Sequence, residues 1–250
     1  MQIAEGKKIY FLSDFHLGIP DHSSSIAREK KIVAFLEKAS LDAAVIFILG
    51  DLFDFWFEYK KVVPKGFVRI LGKLAELTDK GIPVHFFVGN HDMWMSGYFE
   101  QELNIPVYFH PKEFKFNDKV FLIGHGDGLG PADHGYKFIK KIFRNPIAKF
   151  IFGLIPPFIG MSIAHFFSKG SRTAAGNADE QFLGEDNEWL VQYCRDVLKH
   201  KYYDYFIFGH RHLPIDFMLN EQSRYINLGD WIRYDSHAEY DGHSVTLKYN

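Results

Sequence analysis

Five short apolar runs in this chain end in side chains that can hold metal ions. Lys8–Ser13 runs into Asp14-Phe15-His16, and Ala43–Leu49 into Gly50-Asp51-Leu52-Phe53-Asp54. Val84–Val88 runs into Gly89-Asn90-His91-Asp92, Val120–Ile123 into Gly124-His125-Gly126-Asp127, and Tyr205–Phe208 into Gly209-His210-Arg211-His212. In open α/β sheets, sites form beyond the carboxyl ends of strands. A glycine there lets the backbone turn sharply and come close to a ligand. Together these ends can gather Asp14, His16, Asp51, Asn90, His125, His210 and His212 into one pocket. Two carboxylates, an amide oxygen and four imidazoles exceed what a single structural zinc takes, and they include no thiolate. The set suits two octahedral-leaning divalent ions, and its mixed oxygen and nitrogen ligation favours manganese, iron or zinc over calcium. Two such ions about 3.5–4 Å apart clamp the attacking and leaving oxygens of an in-line phosphoryl displacement. Within Asp14-x-His16 and His210-x-His212, residues two apart on an extended segment point the same way.

Each of these residues also has an ordinary reading. A lone histidine is usually a surface or satisfied core group, and an aspartate at a strand end is usually a turn residue or helix cap. Recurrence at five strand ends favours the site. His22, His85, His110, His134, His165, His200, His237 and His243 lack the pattern and stay in the ordinary class.

The elements that must position these groups are read from periodicity. Ala43–Leu49 is continuously apolar, as expected of a strand buried on both faces. Helical spacing covers Ser25–Ala39 and Gly66–Lys80, with Gly81 as a stop. Further strands are expected at Ile215–Leu219, Arg224–Asn227 and Ser244–Tyr249, with hairpin-like turns at Asn220-Glu221 and Asp241-Gly242. Between the fourth and fifth motifs the pattern is helical only: His134–Arg144, a hairpin over Pro146–Phe167, and roughly Asn177–His200. The whole 1–250 chain reads as one α/β layered domain with a helical insertion at about 134–175. The double proline Pro156-Pro157 cuts the hairpin into two short helices, too short to span a bilayer. Its Phe, Ile and Leu residues either bury in a core or face lipid.

Composition narrows the classes. The 250 residues are 47% apolar and 24% charged, which excludes disorder and coiled coil. A net charge of −2 excludes a globally basic nucleic-acid binder. The single cysteine, Cys194, excludes an intramolecular disulfide. With no apolar stretch of signal-peptide length at the N-terminus, a reducing cytosolic setting is expected.

The five blocks, in this order, resemble the calcineurin-like metallophosphoesterase superfamily over residues 13–212. The resemblance implies a two-sheet β-sandwich flanked by helices. It implies Asp14, His16 and His212 on one metal, Asn90, His125 and His210 on the other, and Asp51 bridging. His91 resembles the superfamily's acid or phosphate-contacting histidine. Asp92 is then expected to orient it, with Asp54 in a supporting role near Asp51. Ile48–Trp56, His125-Gly126-Asp127-Gly128 with Asp133 and Gly135-Tyr136, and the helical insertion are similar to the UDP-2,3-diacylglucosamine hydrolase family. That resemblance implies cleavage of a pyrophosphate to UMP and a diacylglucosamine 1-phosphate in lipid A synthesis. It also implies manganese and a peripheral position on the cytoplasmic face of the inner membrane. Asp133, Lys169 and Arg172 are candidate substrate-binding residues. Lys137, Lys140, Lys141, Arg144 and Lys149 are cations able to meet pyrophosphate or anionic lipid heads, or else a solvated helical face. Two positions depart from the narrower pattern: His91 stands where many members carry arginine, and Arg211 where many carry threonine. The rivals are a phosphoesterase for another phosphodiester or a soluble nucleotide, and a scaffold that has lost its metals. No nucleic-acid partner is expected, and the sequence identifies no protein partner.

Overall fold

The computed structural model describes residues 1–131, 134–163, 181–182 and 184–250, apart from the side chains of residues 134, 135 and 139. Side-chain alternation along β1 (Lys8–Leu12) sets the layering. Ile9 and Phe11 face one core, Tyr10 and Leu12 another, and all four are buried. β1 pairs in parallel with β2 (Ala43–Leu49), β2 with β3 (Val84–Phe87), and β3 with β4 (Val107–Tyr108). On the other side of β1, β10 (Ser236–Tyr240) and β11 (Val245–Tyr249) add antiparallel strands. The second sheet runs in the order β5 (Lys112–Phe116), β6 (Lys119–Ile123), β7 (Tyr205–Phe208), β9 (Arg224–Leu228), β8 (Pro214–Met218). Here β6, β7 and β9 are mutually parallel.

The sheets pack face to face through Phe11, Phe47 and Phe87 on one side and Phe116, Phe121 and Ile207 on the other. Burying each such side chain contributes roughly 1.5–3 kcal/mol. The outer face of the first sheet is covered by α1 (His22–Ala39), α2 (Val68–Asp79) and α3 (Tyr98–Leu103), through Ile32, Leu36, Ile70, Leu74 and Phe99. The outer face of the second is covered by Leu190, Val191 and Cys194, on the helix Trp189–Leu198. The result is the expected α/β architecture, a two-sheet sandwich flanked by helices. It sets the carboxyl ends of β1, β2, β3, β6 and β7 at one edge.

Between β6 and β7 the described residues include α4 (His134–Arg144), α5 (Pro146–Leu154) and a further helical stretch at 157–163, so Trp189–Leu198 is α6. The Asn145 side chain caps α5 by accepting from Ile147 N at 2.8 Å, and Pro156-Pro157 ends it as expected. Phe143 and Phe152 dock on Trp94, with ring centroids 5.5 and 4.5 Å away. Trp94 Nε1 donates to Phe143 O at 2.5 Å. No residue of α5 is buried, and Ile147, Phe150, Ile151 and Leu154 are each at least 57% exposed. The hairpin is thus tied to the body along one row of aromatics and presents another apolar row to solvent. Among the described residues, no helix is long and apolar enough to cross a membrane.

Four elements escape the periodicity. β5, Lys-Glu-Phe-Lys-Phe, alternates polar with aromatic and is half exposed at a sheet edge. β10, Ser-His-Ala-Glu-Tyr, is polar in sequence yet mostly buried, because β1 and β11 flank it. α3 and β4 are too short to show a period. α1 begins at His22 rather than Ser25, because Asp21 accepts from Ser24 N at 2.9 Å and caps it. Among the described residues the expected helix over 177–200 is seen as α6, preceded by a turn at 185–187; residues 177–180 and 183 lie outside the described ones.

Candidate active site

The convergence expected of the five strand ends is present. Asp14 Oδ1 lies 3.4 Å from His212 Nε2 and 3.8 Å from His16 Nε2. His16 Nε2 and His212 Nε2 are 3.1 Å apart. On the other side, Asn90 Oδ1 lies 3.0 Å from His125 Nε2 and 2.9 Å from His210 Nδ1. Asp51 Oδ2 stands between the two groups, 3.6 Å from His16 Nε2 and 3.5 Å from His125 Nε2.

Each carboxylate divides its oxygens in the same way. Asp14 Oδ2 accepts from His210 N at 3.0 Å, and Asp51 Oδ1 accepts from His91 N at 2.8 Å. The other oxygens, Asp14 Oδ1 and Asp51 Oδ2, are buried without a hydrogen-bond partner and face the imidazoles. Such orphan anionic oxygens cost several kcal/mol unless a cation meets them. Two of the imidazoles are likewise anchored by their outer nitrogens. His125 Nδ1 meets Leu49 O at 2.6 Å, and His212 Nδ1 meets Asp230 Oδ2 at 3.2 Å. An outer partner of this kind fixes the ring and leaves Nε2 to ligate. His16 Nδ1 lies 3.7 Å from Asp54 Oδ1, close enough for charge attraction and too far for a hydrogen bond. These donors therefore fit a pair of divalent cations, with Asp51 placed between the two sets.

Burial opposes a charge on His16 and His125, but the surrounding carboxylates win and push both up to about 10. Burial and the charge of His125 hold His210 down to about 4. Positive charge is thus held where the two carboxylates are, the position a cation would take over.

The backbone is bent to make this arrangement. Asp14, His16, Asp51, His210 and His212 all have positive φ, between 44° and 69°. Side chains rarely adopt that region, and such strain gathers at functional sites. Gly89 and Gly209 give the necessary clearance. A Cβ on Gly209 would sit 2.5 Å from Asp14 Oδ2 and 2.6 Å from Ser13 Oγ, and one on Gly89 would overlap Asp51 Oδ1. Gly209→Ala is expected to cut turnover at least about 100-fold, because a misplacement of about 1 Å costs that much. The check is steady-state rates alongside far-ultraviolet circular dichroism; wild-type rates would show that the clearance is not needed.

Residues 7–214 match the profile of the calcineurin-like phosphoesterase family. This chain belongs to that family. Its relatives include proteins named UDP-2,3-diacylglucosamine hydrolase from three organisms among others. The one from Porphyromonas gingivalis is 38% identical, covering 96% of this chain and 97% of its own. That from Ectopseudomonas mendocina is 28% identical over 94% of each chain. That from Photorhabdus laumondii is 27% identical, covering 95% of this chain and 96% of its own.

In this phosphoesterase one expected contact is replaced by another. The Asp92 carboxylate does not carry the contact assigned to it; it accepts from Gly89 N and Leu52 N, each at 2.8 Å. It staples two ligand loops together, and burial with the nearby Asp51 charge pushes it up to about 7. His91 is held by Asp54 instead. Its Nδ1 lies 3.0 Å from the Asp54 carbonyl and 3.6 Å from Oδ1. The reason is local: Asp92 turns back into its own loop, while Asp54 rises from the loop after β2 to meet both His16 and His91. Of the candidate substrate residues, Asp133, Lys169 and Arg172 lie outside the described residues, as does His165.

Asp230 was not foreseen. It bonds His212 and accepts from Arg233 N at 2.8 Å, which holds the loop after β9. Its signal was in the sequence: Leu228-Gly229-Asp230 repeats the strand–glycine–carboxylate pattern of the other motifs.

Proposed function

We propose that this protein hydrolyses the pyrophosphate of UDP-2,3-diacylglucosamine to UMP and diacylglucosamine 1-phosphate, in lipid A synthesis. The observation that carries the substrate is the 38% identity, over nearly the full length of both chains, to a hydrolase of that name. The exposed apolar row of α5 supports a diacylated substrate and a peripheral position on the cytoplasmic membrane face.

Asp14, His16 and His212 would hold one cation, Asn90, His125 and His210 a second, and Asp51 both, with manganese the favoured metal. So bound, the pair would supply positive charge for the phosphoryl oxygens and acidify a water. The chain's own contribution is placement. The carboxylates present one oxygen each, anchored through the other, and the outer-nitrogen contacts keep the imidazoles in register. His91, held through Nδ1 by the Asp54 carbonyl, would turn its imidazole to the phosphoryl charge that develops in the reaction.

The test is a substrate panel in which UMP release from the UDP-diacyl sugar is compared with hydrolysis of a chromogenic phosphodiester. Preference for the sugar by at least about 100-fold in kcat/KM is expected. Equal rates would place the activity on another phosphodiester. Excess chelator is expected to lower turnover at least about 1000-fold, manganese restoring it best; full activity in chelator would contradict the metal mechanism.

A further inference from the structure

α4 carries two faces of opposite character. Lys137, Lys140, Lys141 and Arg144 fall at i, i+3, i+4 and i+7, one side of the helix. Phe138 and Ile142, 66% and 46% exposed, are turned roughly 130° from that side at 100° per residue. The basic face lines an open cleft with His110, Asp127 and Asn145. Asp127 is the one carboxylate among the described lining residues, and it is already engaged. Lys140 Nζ lies 2.5 Å from its Oδ2, and the Tyr136 hydroxyl donates to the same oxygen at 2.6 Å. Lys137, Lys141 and Arg144 remain without a described carboxylate in the cleft. The crowding is felt by the neighbours: burial and the Arg144 charge together lower Lys149, and with Lys140 they lower His110. Arg144 Nε is buried without a hydrogen-bond partner. A pocket that assembles cations at this density is complementary to a dianion.

The cleft adjoins the acid–imidazole cluster. Tyr136, which bonds Asp127 at the rim, has its ring 6.4 Å from that of His210. A smaller cavity shares His110, Asp127 and Lys140 and is walled by Tyr108 and Phe109. Lys149 Nζ lies 5.9 Å from the Phe109 ring centre. Cations beside the exposed ring of Phe109 suit a nucleotide, whereas acyl chains have the opposite, apolar face of α4 and α5.

We propose that this cleft binds the phosphomonoester of a nucleotide as a subsite separate from the acid–imidazole cluster; the choice of UMP as that nucleotide rests on the function proposed above.

The test measures UMP as an inhibitor of chromogenic phosphodiester hydrolysis by the manganese-loaded protein. For Lys141→Gln/Arg144→Gln the inhibition constant is expected to rise at least about tenfold, with a shallower salt dependence between roughly 50 and 200 mM. Lys141→Arg/Arg144→Lys, which keeps both charges, should stay within about threefold of wild type, and uridine should inhibit both proteins weakly. If the double variant melts early, Lys141→Gln alone is read; its exposed side chain makes a rise of about threefold the expected result. An unchanged UMP constant overturns the subsite. So does a variant that loses binding to phosphatidylglycerol vesicles while keeping its UMP constant, since the phosphates recognised are then lipid heads. Wild-type protein inert toward the UDP-diacyl sugar would remove the proposed function and leave the cleft to be judged on the UMP constant alone.

Discussion

Asp51→Asn is expected to lower turnover at least about 1000-fold, a loss of about 4 kcal/mol of transition-state stabilisation. It should also reduce bound metal from two ions per chain to at most one. The substitution preserves shape, so the effect is chemical. Asp51 Oδ1 accepts from His91 N at 2.8 Å, and only the oxygen of an asparagine can replace it there. The amide nitrogen is then forced into the place of Oδ2, between His16 Nε2 and His125 Nε2. A buried anionic oxygen becomes a donor pointed at the cations it was meant to hold. Because the His91 contact survives, the loop after β3 should keep its conformation, and the melting temperature should change little. Elemental analysis together with UMP release checks both halves. A variant that keeps two metals and wild-type turnover would show that the Asp51 carboxylate does not serve both sites.

The chemistry of this site and the strands that carry it were legible in the sequence, and the elements around them less so. Ligand positions such as Asp14 and His210 announce themselves because a polar, metal-capable residue directly after an apolar run is a local signal. The parallel strands β1, β2, β3, β6 and β7 are equally plain, since burial on both faces demands continuous apolar residues. β5 was hidden because it is a half-exposed edge strand, and β10 because its polar residues are buried by elements distant in sequence. His237 looks like a surface residue until the rings of Tyr10 and Phe35 pack against it. The partner of His91 was hidden for a related reason. Adjacency in sequence suggested Asp92, but the contact is decided by which loop folds over which, and Asp54 arrives from another strand end. Asp230 differs: the strand runs one residue past the expected Arg224–Asn227, and Leu228-Gly229-Asp230 then shows the same readable pattern.

His91→Ala is expected to lower turnover by about 100- to 1000-fold while leaving metal content unchanged. Two roles compete for this residue, and the geometry makes them separable. His16, Asp54 and His91 bring ligand atoms within 4.8 Å of one another, so a ligand role for His91 would show as lost metal. Yet its Nδ1 is committed to the Asp54 carbonyl and its ring lies edge-on to His16, with centroids 4.8 Å apart. That placement suits a group at the rim that meets phosphoryl oxygens. The alanine variant keeps the backbone N–H that holds Asp51 Oδ1, so the cluster beneath should persist. His91→Arg then distinguishes charge from proton transfer. Arginine can offer a cation and donors to a phosphate but cannot release a proton near neutral pH. If His91 works by stabilising charge, His91→Arg should recover turnover to within about tenfold of wild type. If it works by passing a proton, His91→Arg should be as slow as His91→Ala. Recovery is the expected result, because the Asp54 contact fixes the ring beside the cluster in a place from which an arginine can also meet phosphoryl charge.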